Sequence, residues 1–214
     1  MLLFTLLFFS CHKDTPENPP ICNFVGYYYY QNAPLALGEG LSNNYILVSF
    51  DTTYSVAEIR KFISSVSDFD PSYKYTLYTN KVAALKFNGS KTCEEITGII
   101  ATLQKNPIVV YAHFTMKSYD CQSWVMTPMG NLCVYSYSSL FNVEVLNVND
   151  LTGLHKMMAE TNTELVEQNQ FMPNWFTLRA TKKSKGDALH MANYFFESKL
   201  FVTAEPDPIK IPVE

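Results

Sequence analysis

The sequence contains no apolar run long enough to cross a bilayer as a helix. Such a helix needs roughly 20 apolar residues, and the run from Leu2 to Phe9 is less than half that length. Charge is also sparse, with 17% charged residues and a formal net charge of -4. The one basic cluster, Thr181 to Asp187, is predicted to be a solvated turn. Because nucleic-acid binding needs clustered Lys and Arg, we exclude nucleic acid as a partner.

Signatures of catalysis and metal binding are missing as well. The four histidines, His12, His113, His155 and His190, fall in different predicted elements, and no HExxH or GxSxG motif occurs. The CxxC and HxxxH spacings that suit tetrahedral zinc are absent. We therefore predict a protein that is not an enzyme and holds no metal or cofactor. His113, inside VVYAHFT, is predicted to be a strand residue whose ring is satisfied by the fold.

Cysteine is scarce, with five residues in the chain. In an exported chain the four beyond Cys11 allow three disulfide pairings, which the sequence does not distinguish. Cys121 and Cys133 flank the turn-rich segment TPMGN, where a hairpin would bring them together, so they form a candidate disulfide. The favoured alternative is that they are buried free thiols.

The leader MLLFTLLFFSC predicts export. Its short apolar run, followed by Ser10 and Cys11, resembles a bacterial lipobox, in which the cysteine is lipidated and becomes the first residue of the mature chain. We predict a signal peptide at residues 1–10, lipidation of Cys11 and a polar, proline-rich tether at residues 11–24. The alternative is a plain secretory signal cleaved near Ser10. Both interpretations place the protein outside the cytoplasm, and lipidation places it on a membrane of the bacterial cell envelope.

The first half of the chain alternates strand and helix patterns. YYYYQNAPLAL predicts a hairpin, and NYILVSF is dense in strand-forming residues. Apolar residues then recur every three or four positions, so a helix is predicted with Ser55 and Glu58 as its capping box. KYTLYTNKVAALKF predicts two further strands. Ser90 is the predicted cap of a second helix, and PIVVYAHF is the next strand.

The second half repeats this plan from Leu140. LFNVEVLN predicts a strand, and Asn149 or Asp150 is expected to cap a helix that carries Leu151 and, later, Leu165. PNWFTLRAT, KGDALHMANYFFES and LFVTAEP predict a strand, a helix and a last strand.

Both halves fit a split βαβ arrangement, in which two helices cover one face of an antiparallel sheet. We therefore predict an α+β fold with two ferredoxin-like sandwich units. The first unit spans residues 25–118 and includes the N-terminal hairpin, and the second spans residues 119–214.

The end of the chain carries a likeness to a known family. QFMPNWFTLRATKKSKGDALHMANYFFESKLFVTAEPD resembles the end of the N-terminal prodomain that precedes the catalytic domain in bacterial subtilisin-like serine proteases. In that family a W-x-T-L strand is followed by a helix ending in ANxFYESGLFxxAEPD. GYYYYQNAPLAL resembles the opening of the same prodomains. The catalytic motifs of the family, D-[ST]-G, HGT and GTS-M-A, do not occur here.

The resemblance implies a small α/β sandwich that inhibits its protease by laying a C-terminal tail into the active-site cleft. The backbone of such a tail pairs with the cleft edges while alternate side chains fill subsites. Here the tail is DPIKIPVE, and Pro208 and Pro212 are expected to limit its pairing. Carboxylates of the last strand are expected to meet helix N-termini of the protease. The residues predicted to contact the partner are Glu205, Asp207, Ile209, Ile211, Val213 and Glu214.

Three functions fit these observations. The leading one is a non-catalytic, surface-anchored module that binds or inhibits a subtilisin-like protease domain. The others are an envelope lipoprotein that binds another protein or a glycan, and the N-terminal remnant of a split subtilisin-like protease.

One residue departs from the family pattern. Lys199 stands where ESGLF has glycine, which would close the helix in the left-handed conformation. Lysine loses roughly 1 kcal/mol in that conformation, so the helix end is expected to close differently.

Overall fold

The computed structural model describes residues 21–118, 121 and 132–213. The predicted signal peptide, Cys11 and the tether up to residue 20 lie outside the described residues. Within these ranges the chain forms nine strands and four helices, and none of these helices has the length and apolar character needed to cross a membrane. In chain order the elements are β1 (Tyr27–Tyr30), β2 (Ala33–Ala36), β3 (Leu41–Phe50), α1 (Val56–Ser65), β4 (Val82–Lys86), α2 (Cys93–Gln104), β5 (Val109–Ser118), β6 (Cys133–Val145), α3 (Thr152–Thr161), β7 (Glu164–Gln168), β8 (Trp175–Arg179), α4 (Ala188–Glu197) and β9 (Phe201–Pro212).

The predicted N-terminal hairpin is confirmed. β1 pairs antiparallel with β2, and the turn residues Gln31 and Asn32 have φ of 47° and 65°. A two-residue turn with two positive φ angles matches the right-handed twist of its strands. The hairpin lies against α4, because the Tyr29 ring stacks on Phe196 at 4.5 Å and its hydroxyl donates to Glu197.

The first unit has three antiparallel strands in the order β4-β3-β5, with α1 and α2 packed on one face. Ser55 and Glu58 form the predicted capping box of α1. The predicted cap Ser90 is wrong, because α2 begins after Thr92, whose hydroxyl accepts from the Glu95 amide. Thr92 has a glutamate three residues later and Ser90 does not, so only Thr92 can complete a capping box.

The strand expected in KYTLYT does not form. Residues 73–78 have no regular secondary structure, although Tyr75 and Leu77 pack against the core of the first unit. The amide of Tyr78 donates to the Val82 carbonyl, so the chain turns directly into β4. The apolar side chains of the segment contribute to the core, but its backbone does not join the sheet as a strand.

The second unit has the complete split βαβ order, β9-β6-β8-β7, with every pair antiparallel. α3 and α4 cover one face around a core that includes Phe141, Leu154 and Phe195. Leu165 was expected on α3, which is wrong. Asn162 takes a left-handed φ of 54° and ends that helix, and Leu165 lies on β7, 45% exposed.

The start of α3 differs slightly from the sequence prediction. Its N-cap residue is Leu151, whose side chain makes no capping hydrogen bond. The Asp150 carboxylate, one residue earlier, accepts from the Thr152 amide at 3.1 Å. Of the two predicted cap residues, Asp150 therefore accepts a hydrogen bond from an amide of the first turn, although it does not occupy the N-cap position.

The two units share one sheet. β5 pairs with β6 between Met116–Ser118 and Cys133–Tyr135, which joins all the strands after the hairpin into a seven-stranded sheet. The α+β class, with antiparallel strands and helices packed against them, is confirmed. The two units do not form separate sheets, because their strands join in one. The reason is that β6 is 13 residues long and begins well before Leu140. The predicted boundary lies at residues 119–120, outside the described residues.

The described residues contain two disulfides. Cys22 bonds Cys93, tying the N-terminal segment to the start of α2, and Cys121 bonds Cys133 at the start of β6. The four cysteines are therefore not free thiols, and one of the three pairings is assigned.

Lys199 itself closes α4, with a left-handed φ of 61°. Its amide donates to the Phe196 carbonyl, and its ammonium lies 4.5 Å from the centroid of the Phe196 ring. The expectation that this helix would close differently is wrong. The cation–π contact, worth about 0.5–1 kcal/mol at an exposed site, offsets part of the backbone strain.

We expect Lys199→Gly to raise the free energy of unfolding by up to about 0.5 kcal/mol, because glycine adopts this φ without strain but loses the cation–π contact. Lys199→Ala is the matched control, since it keeps the strain and removes the cation–π contact, and it should lower stability. Urea unfolding at neutral pH measures both. A glycine variant less stable than the alanine variant would contradict this account of the helix end.

Candidate functional site

The second unit has one sheet face that its helices do not cover. The helix side holds the buried side chains of Phe141, Val143, Phe176 and Leu178. Because side chains alternate along a strand, the residues between them face the other way. We call this surface the open face, and its members, all partly exposed, are Asn142, Glu144, Trp175, Thr177, Thr203 and Glu205.

The strand register brings two carboxylates together on the open face. Asn142 is paired with Thr177 on one side and with Glu205 on the other. Glu144 is paired with Trp175 and Thr203 in the same way. Glu144 and Glu205 are therefore diagonal neighbours on adjacent strands, within the reach of long side chains.

The open face carries negative charge that the fold does not neutralise. Burial raises the pKa of Glu205, a hydrogen bond from Thr203 opposes the rise, and repulsion from Glu144 adds to it. Among the residues of the described ranges, no lysine or arginine forms an ion pair with either carboxylate. A cation or a helix N-terminus of a partner would relieve this repulsion.

The predicted C-terminal tail is part of the sheet. Residues 208–212 continue β9 and pair with residues 133–137 of β6. Ile211 and Val213 are only 6% and 8% exposed, and they pack with residues of β3, β4 and β5 on the helix-free side of the first unit. The Val213 amide donates to the Leu132 carbonyl, and its carbonyl accepts from the Tyr73 hydroxyl. Up to Val213 the structure therefore shows a paired strand and not a free tail.

The remaining predicted partner residues lie in different surroundings. Glu205 is on the open face, and Asp207, two residues later, accepts a hydrogen bond of 2.7 Å from the Ser138 hydroxyl. Ile209 is half-buried, on the margin of the cluster that holds Ile211. Glu214 lies outside the described residues.

The prolines of β9 do not weaken its pairing with β6. Val213 directs its amide at β6, so even-numbered residues of this regular strand direct their backbone nitrogens away from β6. Pro206, Pro208 and Pro212 are all even-numbered. Their missing donors therefore fall on the outer edge of β9, where proline discourages pairing with another chain.

A second feature is a cluster of polar side chains that lies between the two units. The His113 ring is 3% exposed and is stacked between the rings of Tyr111 and Tyr137. Its Nδ1 lies 2.9 Å from the Tyr137 carbonyl, so this nitrogen carries a proton. The Tyr137 hydroxyl donates to Asp187, whose other oxygen accepts from the amide and ring Nδ1 of His190. We call His113, Tyr137, Asp187 and His190 the inter-unit cluster.

The charges of the inter-unit cluster follow from its surroundings. Burial lowers the pKa of His113, which keeps the ring neutral at pH 7. Burial alone would raise the pKa of Asp187, but the hydrogen bond from His190 and the nearby histidine charges lower it to about 2. The hydrogen bond to Asp187 raises the pKa of His190. No serine, threonine, cysteine or lysine of the described ranges donates to either histidine, so the cluster links the units and carries no activated nucleophile.

Sequence reasoning found only part of this cluster. The buried, satisfied ring of His113 is as predicted. Asp187 was missed, although Asp-x-x-His at the start of a helix is an N-cap signal. The basic segment from Thr181 to Asp187 is not simply solvated, because the Lys182 ammonium donates to the Asn106 carbonyl of the first unit.

Neither a protein-family model nor a curated protein matches the chain. In the part of the chain that the structure describes, no group of three or more His, Cys, Asp or Glu side chains is placed to hold a metal ion.

We expect Asp187→Ala to lower the free energy of unfolding by about 2–4 kcal/mol, because it removes a helix cap and leaves the buried Tyr137 hydroxyl without its acceptor. Asp150→Ala, which removes an exposed turn acceptor, should cost less than about 1 kcal/mol. Equal losses in urea unfolding would contradict the assigned role of Asp187.

The same variant changes the titration of His190. Since the folded pKa of His190 lies above its usual 6.5, its stabilisation is complete below that value and is lost as pH rises through the folded pKa. His113 acts oppositely, because its folded pKa is lowered and stability falls as pH drops below 6.5. NMR titration should place the pKa values of the two rings on opposite sides of 6.5. Asp187→Ala should lower both values, because the Asp187 charge raises the pKa of His113 as well as that of His190.

Proposed function

We propose that this chain is a non-catalytic, exported lipoprotein whose second unit binds and inhibits a subtilisin-like protease domain. The observation that carries the proposal is the open face, where Glu205 and Glu144 are partly buried, close together and unneutralised. The prodomain resemblance assigns Glu205 and Asp207 to the partner, and it implies a small α/β sandwich, with which the helix-covered sheet of the second unit is consistent.

The chemistry of the open face fits such a partner. Carboxylates on a rigid sheet favour helix N-termini, each contact contributing roughly 0.3–1 kcal/mol and more where it is partly buried. Trp175 lies beside Glu144, and a half-buried tryptophan on a flat face is typical of residues that dominate binding energy. Three paired strands, β6, β8 and β9, fix the relative positions of these side chains, which keeps the ordering cost of binding low.

The position of the tail argues for the open face as the main contact. Insertion of residues 208–213 into a protease cleft would strip them from β6 and expose Ile211 and Val213. Exposing each such side chain costs about 1.5–3 kcal/mol. The half-buried Ile209 is the tail side chain that could contact a partner with the least rearrangement.

Two disulfides support an exported location. Disulfides persist in oxidising compartments and are rare in the cytosol, and all four described cysteines are paired. Lipidation of Cys11 remains a proposal from the lipobox-like leader.

Inhibition by the soluble mature chain, carrying Cys11→Ser to prevent lipidation, tests the proposal. The assay measures peptide hydrolysis by a purified subtilisin-like protease domain. Glu205→Arg should raise the inhibition constant at least tenfold, about 1.4 kcal/mol, because a cation then faces the partner's helix N-terminus. Glu160→Arg, on the exposed side of α3, is the matched control and should change nothing. No inhibition by the parent chain, or equal effects of both substitutions, would contradict the proposal.

A further inference from the structure

The shared sheet splits where the two units diverge. β5 pairs with β6 only over Met116–Ser118, so no described strand pairs with the second edge of β5 between Val110 and Phe114. This free edge lines a cleft of about 270 Å³, whose other wall is the segment from Ala180 to Asp187. Val110, at the mouth of the cleft, is 40% exposed, whereas Ala112 and Phe114 further along the edge are 1% and 4% exposed.

Along this edge, side chains form hydrogen bonds that a neighbouring strand would otherwise form. The Ala112 carbonyl accepts from the side-chain amide of Gln104 at 3.3 Å, and the Phe114 carbonyl accepts from the Ser136 hydroxyl at 2.8 Å. Even-numbered residues of β5 therefore direct their backbone groups into the cleft. An incoming backbone amide would replace the Gln104 side chain at the Ala112 carbonyl.

The wall opposite the free edge is cationic. Lys182, Lys185 and His190 line the cleft, and Asp187 is the only carboxylate among the lining residues. Asp187 already accepts hydrogen bonds from Tyr137 and His190. Burial lowers the pKa of Lys182, which indicates that its ammonium has lost part of its hydration. An anionic group entering the cleft would restore favourable interactions to these cations.

We propose that this cleft is a docking groove for an extended, acidic peptide segment of a partner protein. The segment adds to the free edge of β5 between Val110 and Phe114, and one of its carboxylates lies near Lys182, Lys185 and His190. Backbone pairing supplies affinity, and the charge of the wall selects the sequence. The volume is below the roughly 300–1,000 Å³ typical of ligand pockets, so the walls of the cleft must move apart to admit the segment along the whole edge. The groove lies apart from the open face, and the proposal does not depend on protease binding.

Binding of a blocked peptide, Ac-Val-Glu-Val-Asp-Val-Thr-NH2, to the mature chain carrying Cys11→Ser tests this inference. At low ionic strength, NMR titration should show saturable shifts of the Val110, Ala112 and Phe114 amides. A peptide with lysine in place of both acidic residues should bind at least tenfold more weakly. The double variant Lys182→Glu and Lys185→Glu should also weaken binding at least tenfold, whereas Lys156→Glu on α3 should not.

A backbone variant separates strand addition from simple charge attraction. Ala112→Pro removes an amide that faces the cleft and not β3, so the ladder with β3 is retained, and circular dichroism checks its fold. It should weaken binding at least tenfold. If it does not fold, an N-methylated form of the acidic peptide, which cannot donate to β5, replaces it and should bind as weakly. Three results would overturn the proposal: no saturable shift at about 1 mM peptide, equal binding of the lysine peptide, or indifference to the lost backbone donors.

Discussion

The pairing of β9 with the whole length of β6 is the interaction on which the rest of the structure depends. The first half of β9 completes the second unit, and its second half runs beside the part of β6 that also pairs with β5. Through Ile211 and Val213 the same strand covers the helix-free side of the first unit. One strand therefore closes one unit and seals the other, which explains why two similar halves form a single sheet.

The positions of the prolines in β9 are consistent with this pairing. They are placed where they leave the ladder with β6 intact and remove donors from the outer edge. An outer edge with few donors is a poor template for another strand, which protects an exposed sheet from aggregation. The edge of β5 in the cleft has no proline, so the two edges differ in their capacity to accept an extended chain.

The sequence predicts elements well where the signal is local. The Ser55–Glu58 capping box, the Tyr27–Ala36 hairpin and the α4–β9 succession depend on neighbouring residues and were confirmed. KYTLYT has strand-like residues, but it forms no strand, because tertiary contacts decide whether its backbone pairs. The inter-unit cluster was also beyond local reasoning, since Tyr137 and Asp187 are 50 residues apart. The open face follows from strand alternation, but the proximity of Glu144 and Glu205 needs the register.

The placement of the tail decides between two views of how the chain meets a partner. In one view residues 208–213 are a free, extended ligand, and in the other they belong to the core of the chain. Native-state hydrogen exchange of the mature chain distinguishes them, because residues 209, 211 and 213 direct their amides at β6. We expect the amide of Val213, bonded to the Leu132 carbonyl, and the amide of Ile211 to exchange as slowly as the central amides of β6. Exchange of both at the rate of an unstructured peptide would contradict the account.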